Sequence, residues 1–154
     1  MKILIVGNGA RESALALKLK DDSRISKLYF AKGTVTTAEL GQNVYDESVE
    51  GLRDFAIKER IDLTIVGPEA PLVEGIVDEF KKHGLKIFGP EKRAAELEGS
   101  KAFSKKFMQT NNIKTAKAVV FDAYHDAIEY VRNQKFPIVI KASGLAGGKG
   151  VVIA

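Results

Sequence analysis

The chain has 154 residues, 45% of them hydrophobic and 29% charged, with a formal net charge of +4. The absence of cysteine excludes a disulfide scaffold and a cysteine-ligated metal site, and it fits a cytoplasmic protein. The basic residues form no long block and no apolar run approaches the roughly 20 residues of a membrane span, so neither nucleic acid nor a membrane is expected as a partner. With only two histidines, no metal site is expected within the chain.

The first predicted elements are a strand, a glycine turn and a helix. Residues 3–6 form an unbroken apolar run, which is typical of a strand buried on both faces of a parallel sheet. The turn Gly7-Asn8-Gly9 follows, and the periodicity of 11–20 predicts a helix. Backbone N–H groups at such a helix start favour a phosphate or another anion, and the guanidinium of Arg11 would add charge there.

The glycines of this turn match a dinucleotide fingerprint only in part. Gly7 and Gly9 fit the Gly-x-Gly-x-x-Gly pattern, but its third glycine is replaced by Glu12. A glycine there allows close packing of helix on strand, which Glu12 is not expected to supply. A site for NAD or FAD is therefore disfavoured, and a tight turn without a ligand remains an alternative.

The segments up to residue 99 alternate between β-rich runs and helical patterns. Further strands are predicted at 27–31, 42–44, 62–66 and 85–88. Between them, helices are predicted after Ser48, as a single helix from Pro71 to Gly84, and up to Gly99. This alternation predicts an α/β fold, a Rossmann-like open parallel sheet whose glycine loops share one edge.

The pattern changes at Ser100, which is predicted to cap a basic helix. A strand at 116–121, a helix capped by Asp122, a strand at 136–141 and another strand from 151 are expected to follow. These elements resemble the start of an α+β domain with an incomplete sheet. The predicted domains are therefore 1–99 and 100–154.

A glycine-rich loop at 143–150 separates the last two predicted strands. Its spacing and its β-rich sequel do not fit a Walker A motif, which requires Ser or Thr after the lysine and then a helix. Four glycines with Lys149, after a strand that ends in Lys141, suit a flexible flap over phosphate groups. A plain hairpin loop with a solvated lysine is the alternative.

Together these segments resemble phosphoribosylamine–glycine ligase, a family of the ATP-grasp superfamily. The resemblance covers the whole chain, and the segments that carry it are VGNG with Arg11-Glu12, DLTIVGPEAPL at 62–72, LKIFGP at 85–90, LEGSKAF at 97–103 and IVIKASGLAGGKGV at 138–151. It implies a Rossmann-like pre-ATP-grasp domain, followed by the truncated start of an ATP-grasp domain.

The resemblance also implies a reaction and its site residues. In this family ATP activates glycine as glycyl phosphate, and 5-phosphoribosylamine attacks it to give glycinamide ribonucleotide in purine biosynthesis. Substrate binding is implied for Gly7, Asn8, Gly9, Arg11, Glu12, Gly67, Pro68 and Glu69. ATP binding is implied for Lys105, Lys141, Gly144, Gly147, Gly148, Lys149 and Gly150. No catalytic residue is assigned. The complete enzyme would use ATP with Mg²⁺ or Mn²⁺, and neither is expected to be tightly bound to this chain.

Some residues depart from the family pattern. Ser13 replaces the usual histidine, and Lys32, Thr34 and Thr36 replace residues of a loop expected near the substrate. Family members are also more than twice as long as this chain.

The isolated chain is therefore not expected to catalyse the ligation. A truncated or degenerate module that binds a phosphorylated metabolite without catalysis is the alternative. A related carboxylate–amine ligase or a formyl-phosphate-using transferase is a further one. Pairing of chains through an open sheet edge is also considered.

Overall fold

A computed structural model describes all 154 residues, which form two compact units, Met1–Ala95 and Glu96–Ala154. The first unit contains the strands β1 (Lys2–Val6), β2 (Lys27–Ala31), β3 (Gln42–Val44), β4 (Leu63–Val66) and β5 (Ile87–Phe88). Its helices are α1 (Ala10–Leu19), α2 (Val35–Ala38), α3 (Val49–Glu59), α4 (Glu69–Glu74) and α5 (Ile76–Lys82), and α6 (Lys92–Gly99) begins in it. The predicted alternation of strands and helices is confirmed.

The five strands form one parallel sheet in the order β3-β2-β1-β4-β5. In the centre, Ile3 of β1 is in register with Leu28 of β2 on one side and with Leu63 of β4 on the other. Because all strands run in the same direction, the loops after β1, β2, β3 and β4 lie along one edge of the sheet. The predicted α/β fold class is confirmed.

Both faces of the sheet are covered by apolar side chains. On one face, Leu4 and Val6 of β1 pack in a cluster with residues of α3 and α5, including Leu52 and Phe80. On the other face, the alternate residues of β1 pack with Ala16 of α1 and with β2. Since β1 is buried on both sides, its continuous apolar run is explained.

The helix predicted from Pro71 to Gly84 is in fact two helices. Gly75 separates α4 from α5 with a φ of 102°, a left-handed conformation that only glycine adopts easily. The apolar spacing continues across this break, so periodicity alone could not reveal it. Gly84, with a φ of 69°, ends the second helix as predicted.

The second unit contains the end of α6, α7 (Lys101–Thr110), α8 (Tyr124–Arg132) and an antiparallel hairpin of β6 (Val139–Lys141) and β7 (Val151–Ile153). Ser100 caps α7 as predicted, since its Oγ accepts the N–H of Phe103 at 3.2 Å. No residue of this unit is buried.

Three predictions for this unit are wrong. Residues 116–121 form no strand, because no other strand pairs with them, and a β-rich run becomes a strand only where it finds a ladder partner. Asp122 does not cap α8; Ala123 occupies that position without a side-chain hydrogen bond. The strand predicted at 136–141 begins only at Val139, and the peptide bond before Pro137 is cis.

No helix of the chain combines the length and the apolar character needed to cross a membrane.

Candidate functional site

The turn between β1 and α1 leaves backbone donors free. Gly9 is the N-cap of α1, and the N–H groups of Ala10, Arg11 and Glu12 make no hydrogen bond within the chain. Three free donors at the start of a ten-residue helix carry the partial positive charge of the helix dipole. Gly7 enters this turn with a φ of 120°. The turn can therefore accept an anion at Ala10–Glu12.

Arg11 joins this turn to the neighbouring turn after β4. Its guanidinium donates a hydrogen bond to the carbonyl oxygen of Gly67, and the side chain is otherwise exposed. A guanidinium has five N–H donors, so several remain available to a ligand. The predicted candidates Arg11 and Gly67 are thus brought together at the edge of the sheet.

Glu12 differs most from its prediction. Its side chain is 4% exposed, and its Oε2 accepts the N–H of Gly9 at 2.6 Å. The carboxyl group fills the space beside Gly7, Gly67 and Pro68. The side chain of Glu12 therefore folds inward and occupies the room that Gly7 and Gly67 leave.

The remaining candidates of the first unit, Asn8, Pro68 and Glu69, lie in the same two turns. Pro68 is the N-cap of the short helix α4, in an extended conformation. Glu69, the first residue of α4, is exposed and forms no hydrogen bond or ion pair. Asn8 is exposed at the tip of the first turn. These side chains are accessible from solvent at the same sheet edge.

In the loop after β2, Lys32 and Thr34 depart from the family pattern, and both form polar contacts within the chain. Lys32, with a φ of 59°, forms an ion pair with Glu47 at 2.8 Å. Thr34 caps α2, and its N–H donates to Oγ1 of the fully buried Thr37 at 2.6 Å. Thr37 in turn lies 2.9 Å from Oδ1 of Asn43. Sequence reasoning missed this polar group, although the Thr-x-x-Thr spacing is a capping signal.

In the second unit, the glycine-rich loop forms the end of the β6–β7 hairpin. The N–H of Ala142 donates to the carbonyl oxygen of Gly150 at 2.8 Å, which closes the loop. At Gly144, Gly147 and Gly148, an added Cβ would have no atom within 4 Å. Packing within the chain therefore does not explain these three glycines, although Gly147 and Gly148 also have positive φ angles of 53° and 78°.

The entrance of this loop is fixed to the start of α7. The N–H of Lys101 donates to the carbonyl oxygen of Ser143 at 2.8 Å, and the N–H of Ala102 donates to the Ser143 hydroxyl at 3.1 Å. The ammonium of Lys101 also donates to the carbonyl oxygen of Gly144 at 3.0 Å. Sequence reasoning missed both Ser143 and Lys101, and no pattern in the sequence links these two positions.

The three lysines predicted to bind ATP differ in their hydrogen bonds. The Lys105 ammonium donates to the Thr115 hydroxyl at 2.7 Å and to the carbonyl oxygen of Ala116 at 3.0 Å. The side chains of Lys141 and Lys149 make no hydrogen bond. Residues 96–154 contain nine Lys and Arg but five Asp and Glu, and no carboxylate pairs with any of these cations. This positive charge is available to an anion.

No group of three or more His, Cys, Asp or Glu side chains is arranged to hold a metal ion. The donors that the two units offer suit an anion, with amides and Arg11 in the first and lysines beside a glycine loop in the second.

Comparison with protein families gives two adjoining matches. Residues 1–98 match the N domain of phosphoribosylglycinamide synthetase, and residues 99–154 match the ATP-grasp (A) domain of the same protein. Among curated proteins, phosphoribosylamine–glycine ligase of Clostridium acetobutylicum is 54% identical over 99% of this chain, and the enzyme of Escherichia coli K12 is 51% identical over 100%.

A solved structure agrees with these matches. The crystal structure of phosphoribosylamine–glycine ligase from Thermotoga maritima superimposes with a TM-score of 0.75 and 30% identity, over 99% of this chain and 36% of that one. The chain spans about 37% of the length of the two curated relatives. The family matches span the chain without a gap, and the chain belongs to the phosphoribosylglycinamide synthetase family.

Proposed function

We propose that the complete protein joins glycine to 5-phosphoribosylamine at the expense of ATP, in the cytoplasm, as a step of purine biosynthesis. The observation that carries this proposal is the 54% identity to a phosphoribosylamine–glycine ligase over 99% of the chain. A carboxylate oxygen of glycine would attack the γ-phosphorus of ATP, with ADP leaving. The amine would then attack the carbonyl carbon of glycyl phosphate, releasing phosphate and a proton.

In this proposal the two segments have different tasks. Residues 1–99 form the substrate-binding domain, and residues 100–154 form the start of the ATP-grasp domain. Mg²⁺ or Mn²⁺ would neutralise the charge of the transferring phosphates when bound, but no group of this chain fits such an ion. The isolated chain is expected to be inactive in an assay of phosphate release with ATP, glycine, magnesium and phosphoribosylamine generated in situ.

The edge of the first sheet is proposed to bind the phosphoribosyl group. The free N–H groups of Ala10, Arg11 and Glu12 and the guanidinium of Arg11 supply donors suited to a phosphate. The exposed carboxylate of Glu69 would accept hydrogen bonds from ribose hydroxyls or from the amine. Its alternative role is a carboxylate favoured by the helix start.

The hairpin of the second unit is proposed to contact the phosphates of ATP. Lys141 and Lys149 form no ion pair, and the loop at 144–150 contains four glycines, whose backbone a phosphate can approach without obstruction by a side chain. Two ammonium donors of Lys105 are engaged with Thr115 and Ala116, which orients the third. A developing charge on a transferring phosphoryl group is stabilised by such donors.

The proposal for the first unit is tested by calorimetric titration of the chain with ribose 5-phosphate. Arg11→Ala should weaken saturable binding by roughly 10- to 100-fold, because a charge-assisted hydrogen bond is lost. Arg24→Ala is the matched control, since Arg24 precedes β2 at the opposite sheet edge and pairs with Asp22. Equal binding by all three proteins would contradict the role of Arg11. Absent binding to the unmodified chain would favour a degenerate module whose loop after β2 has lost the ligand.

A further inference from the structure

The proposed function uses the backbone N–H of Glu12 but gives its buried carboxyl group no task. Glu12 is 4% exposed, and its side chain lies beside Gly7 in the turn after β1 and beside Gly67 in the turn after β4. Its Oε2 accepts the N–H of Gly9 in the first turn, at 2.6 Å. A carboxylate in the first turn of a helix is also favoured by the helix dipole. The charge is therefore satisfied from within the chain.

The contact of Glu12 with the second turn explains a glycine. A Cβ added at Gly67 would lie 1.8 Å from Oε1 of Glu12 and 2.6 Å from its Cδ. The backbone of Gly67 does not have a positive φ, so its conformation would accept alanine. The three atoms nearest to this added Cβ all belong to Glu12. Glu12 is thus the nearest obstacle to a side chain at Gly67.

Gly7 provides a contrast. Its added Cβ would lie 2.8 Å from Cδ of Glu12 but also 2.8 Å from Cδ of Pro68. Its φ of 120° is a conformation that side chains rarely adopt. Gly7 would therefore be needed even without Glu12.

We propose that Glu12 is a positioning residue, which locks the turn after β1 to the turn after β4 and reserves the space at Gly67 for its own carboxyl group. Arg11 also joins the two turns, because its exposed guanidinium donates to the carbonyl oxygen of Gly67. We call these contacts, Glu12 with Gly9 and Gly67 and Arg11 with Gly67, the clasp. Because Glu12 takes the N–H of Gly9, a bound phosphate must use the N–H groups of residues 10–12 instead. This last step rests on the proposed function; the clasp itself does not.

The clasp is tested by a double-mutant cycle on the stability of the 154-residue chain, measured by urea unfolding. Gly67→Ala should raise the unfolding equilibrium constant by roughly 5- to 150-fold, as overpacking does. In the Glu12→Ala background the same change should alter it by less than about twofold, because the clash is gone. An equal penalty in both backgrounds would overturn the proposal.

Two further variants keep the cycle decisive. Gly7→Ala should remain destabilising in both backgrounds, since its φ angle and the contact with Pro68 persist. If Glu12→Ala does not fold, Glu12→Asp replaces it, because its carboxyl group is one methylene shorter and should also reduce the penalty at Gly67. An undiminished penalty with Glu12→Asp would likewise overturn the proposal.

Positioning is distinguished from mere stabilisation by the affinity of the folded protein for ribose 5-phosphate. Glu12→Ala should weaken binding about tenfold, and Glu12→Gln, which keeps the shape and an oxygen for Gly9, should restore it to within about threefold. Glu79→Ala, which breaks a contact between α3 and α5, should destabilise the chain without changing the affinity.

Unchanged affinity in folded Glu12→Ala would reduce Glu12 to a structural residue and overturn its positioning role. If the unmodified chain does not bind ribose 5-phosphate, the proposed function of this edge fails, whereas the stability cycle still decides the clasp.

Discussion

Residues 1–95 and 96–154 are ordered by different forces. The first unit buries apolar side chains on both faces of its sheet, balances 15 Lys and Arg against 15 Asp and Glu, and contains every ion pair of the chain. The second unit buries no residue and has the entire net charge. Its contacts include the hairpin ladder, the attachment of Ser143 to α7 and two aromatic pairs, Phe103–Phe107 and Phe121–Tyr130.

This difference indicates where the two units can change shape. A segment with a packed core opens only at a cost near the global free energy of unfolding, whereas a segment held by exposed hydrogen bonds opens locally. The turn after β1, which is proposed to bind a phosphate, is therefore held in place by the packed core. If the proposed role of the glycine-rich loop holds, local opening of the second unit would let this loop close over the phosphates.

Hydrogen exchange should show the largest effect. Amides of β1, such as those of Leu4 and Ile5, are expected to exchange at least about 1,000-fold more slowly than those of β6 and β7, such as Ile140, after correction for intrinsic rates. Exchange of the intact chain, followed by NMR or mass spectrometry, measures this ratio. If the amides of β6 and β7 exchanged as slowly as those of β1, the proposed difference in local stability between the two units would be wrong.

Replacing one phenylalanine by alanine in each unit should lower the free energy of unfolding much more in the first unit than in the second. Phe80→Ala removes a fully buried side chain from the first core and should lower the free energy of unfolding by about 3–5 kcal/mol. Phe107→Ala removes a ring that is 40% exposed on α7 and should cost less than about 1 kcal/mol. Urea denaturation of both variants provides the measurement, and similar losses would show that the second unit has a core of its own.

Acid should weaken the first unit through its ion pairs. Hydrogen bonds from Arg53 lower the pKa of Glu79 below the ordinary 4.5, and a hydrogen bond from the Tyr29 hydroxyl together with the nearby Lys2 does the same for Glu59. A carboxyl group whose pKa is lowered by folding stabilises the protein above its unfolded pKa and loses that contribution as the pH falls through its folded pKa. The urea midpoint should therefore decrease below about pH 4.5, and Glu79→Gln should flatten that decrease.

A flat midpoint down to pH 3 in the unmodified chain would show that these contacts contribute nothing to stability. The slope of the urea midpoint against pH should be compared between the unmodified chain and Glu79→Gln at equal ionic strength. The difference between the two slopes gives the contribution of the contact between Arg53 and Glu79.

The smallest expected effect lies in the glycine-rich loop. An added Cβ at Gly150 would lie 2.6 Å from Cβ of Ala146 and 3.1 Å from Cβ of Ala142, whereas at Gly144 it would meet nothing. Gly150→Ala should therefore speed the exchange of the Ala142 amide several-fold, because that amide donates to residue 150. Gly144→Ala is the matched control and should leave the exchange unchanged; an equal effect of both would contradict this account of the hairpin.

The fold of the first unit was predictable because its elements are specified locally. The apolar run of β1, the cap at Ser48 and the ends of the helices depend on neighbouring residues, and the parallel sheet follows from their order. The split at Gly75 was missed because apolar spacing continues through it. The absent strand at 116–121 was missed because pairing depends on a distant partner, which local β propensity does not report.

The candidate residues were predictable as positions but not as contacts. The glycine turn, Arg11 and the loop at 143–150 were found from residue types and spacing. The contact of Glu12 with Gly67 and the attachment of Ser143 to α7 join segments that are remote in the sequence, and Lys105 lies ten residues from its partner Thr115. A single sequence carries no direct signal for such pairs, because neither residue is unusual by itself.

The contact between Glu12 and Gly67 also constrains how such sequences can diverge. A side chain at position 67 would displace a glutamate at position 12 but not a shorter residue, so the cost of a change at one position depends on the residue at the other. Homologous sequences should therefore show these two positions changing together, with glycine at 67 wherever glutamate stands at 12. Position 7 should stay glycine whatever occupies position 12, because its backbone conformation imposes a separate requirement.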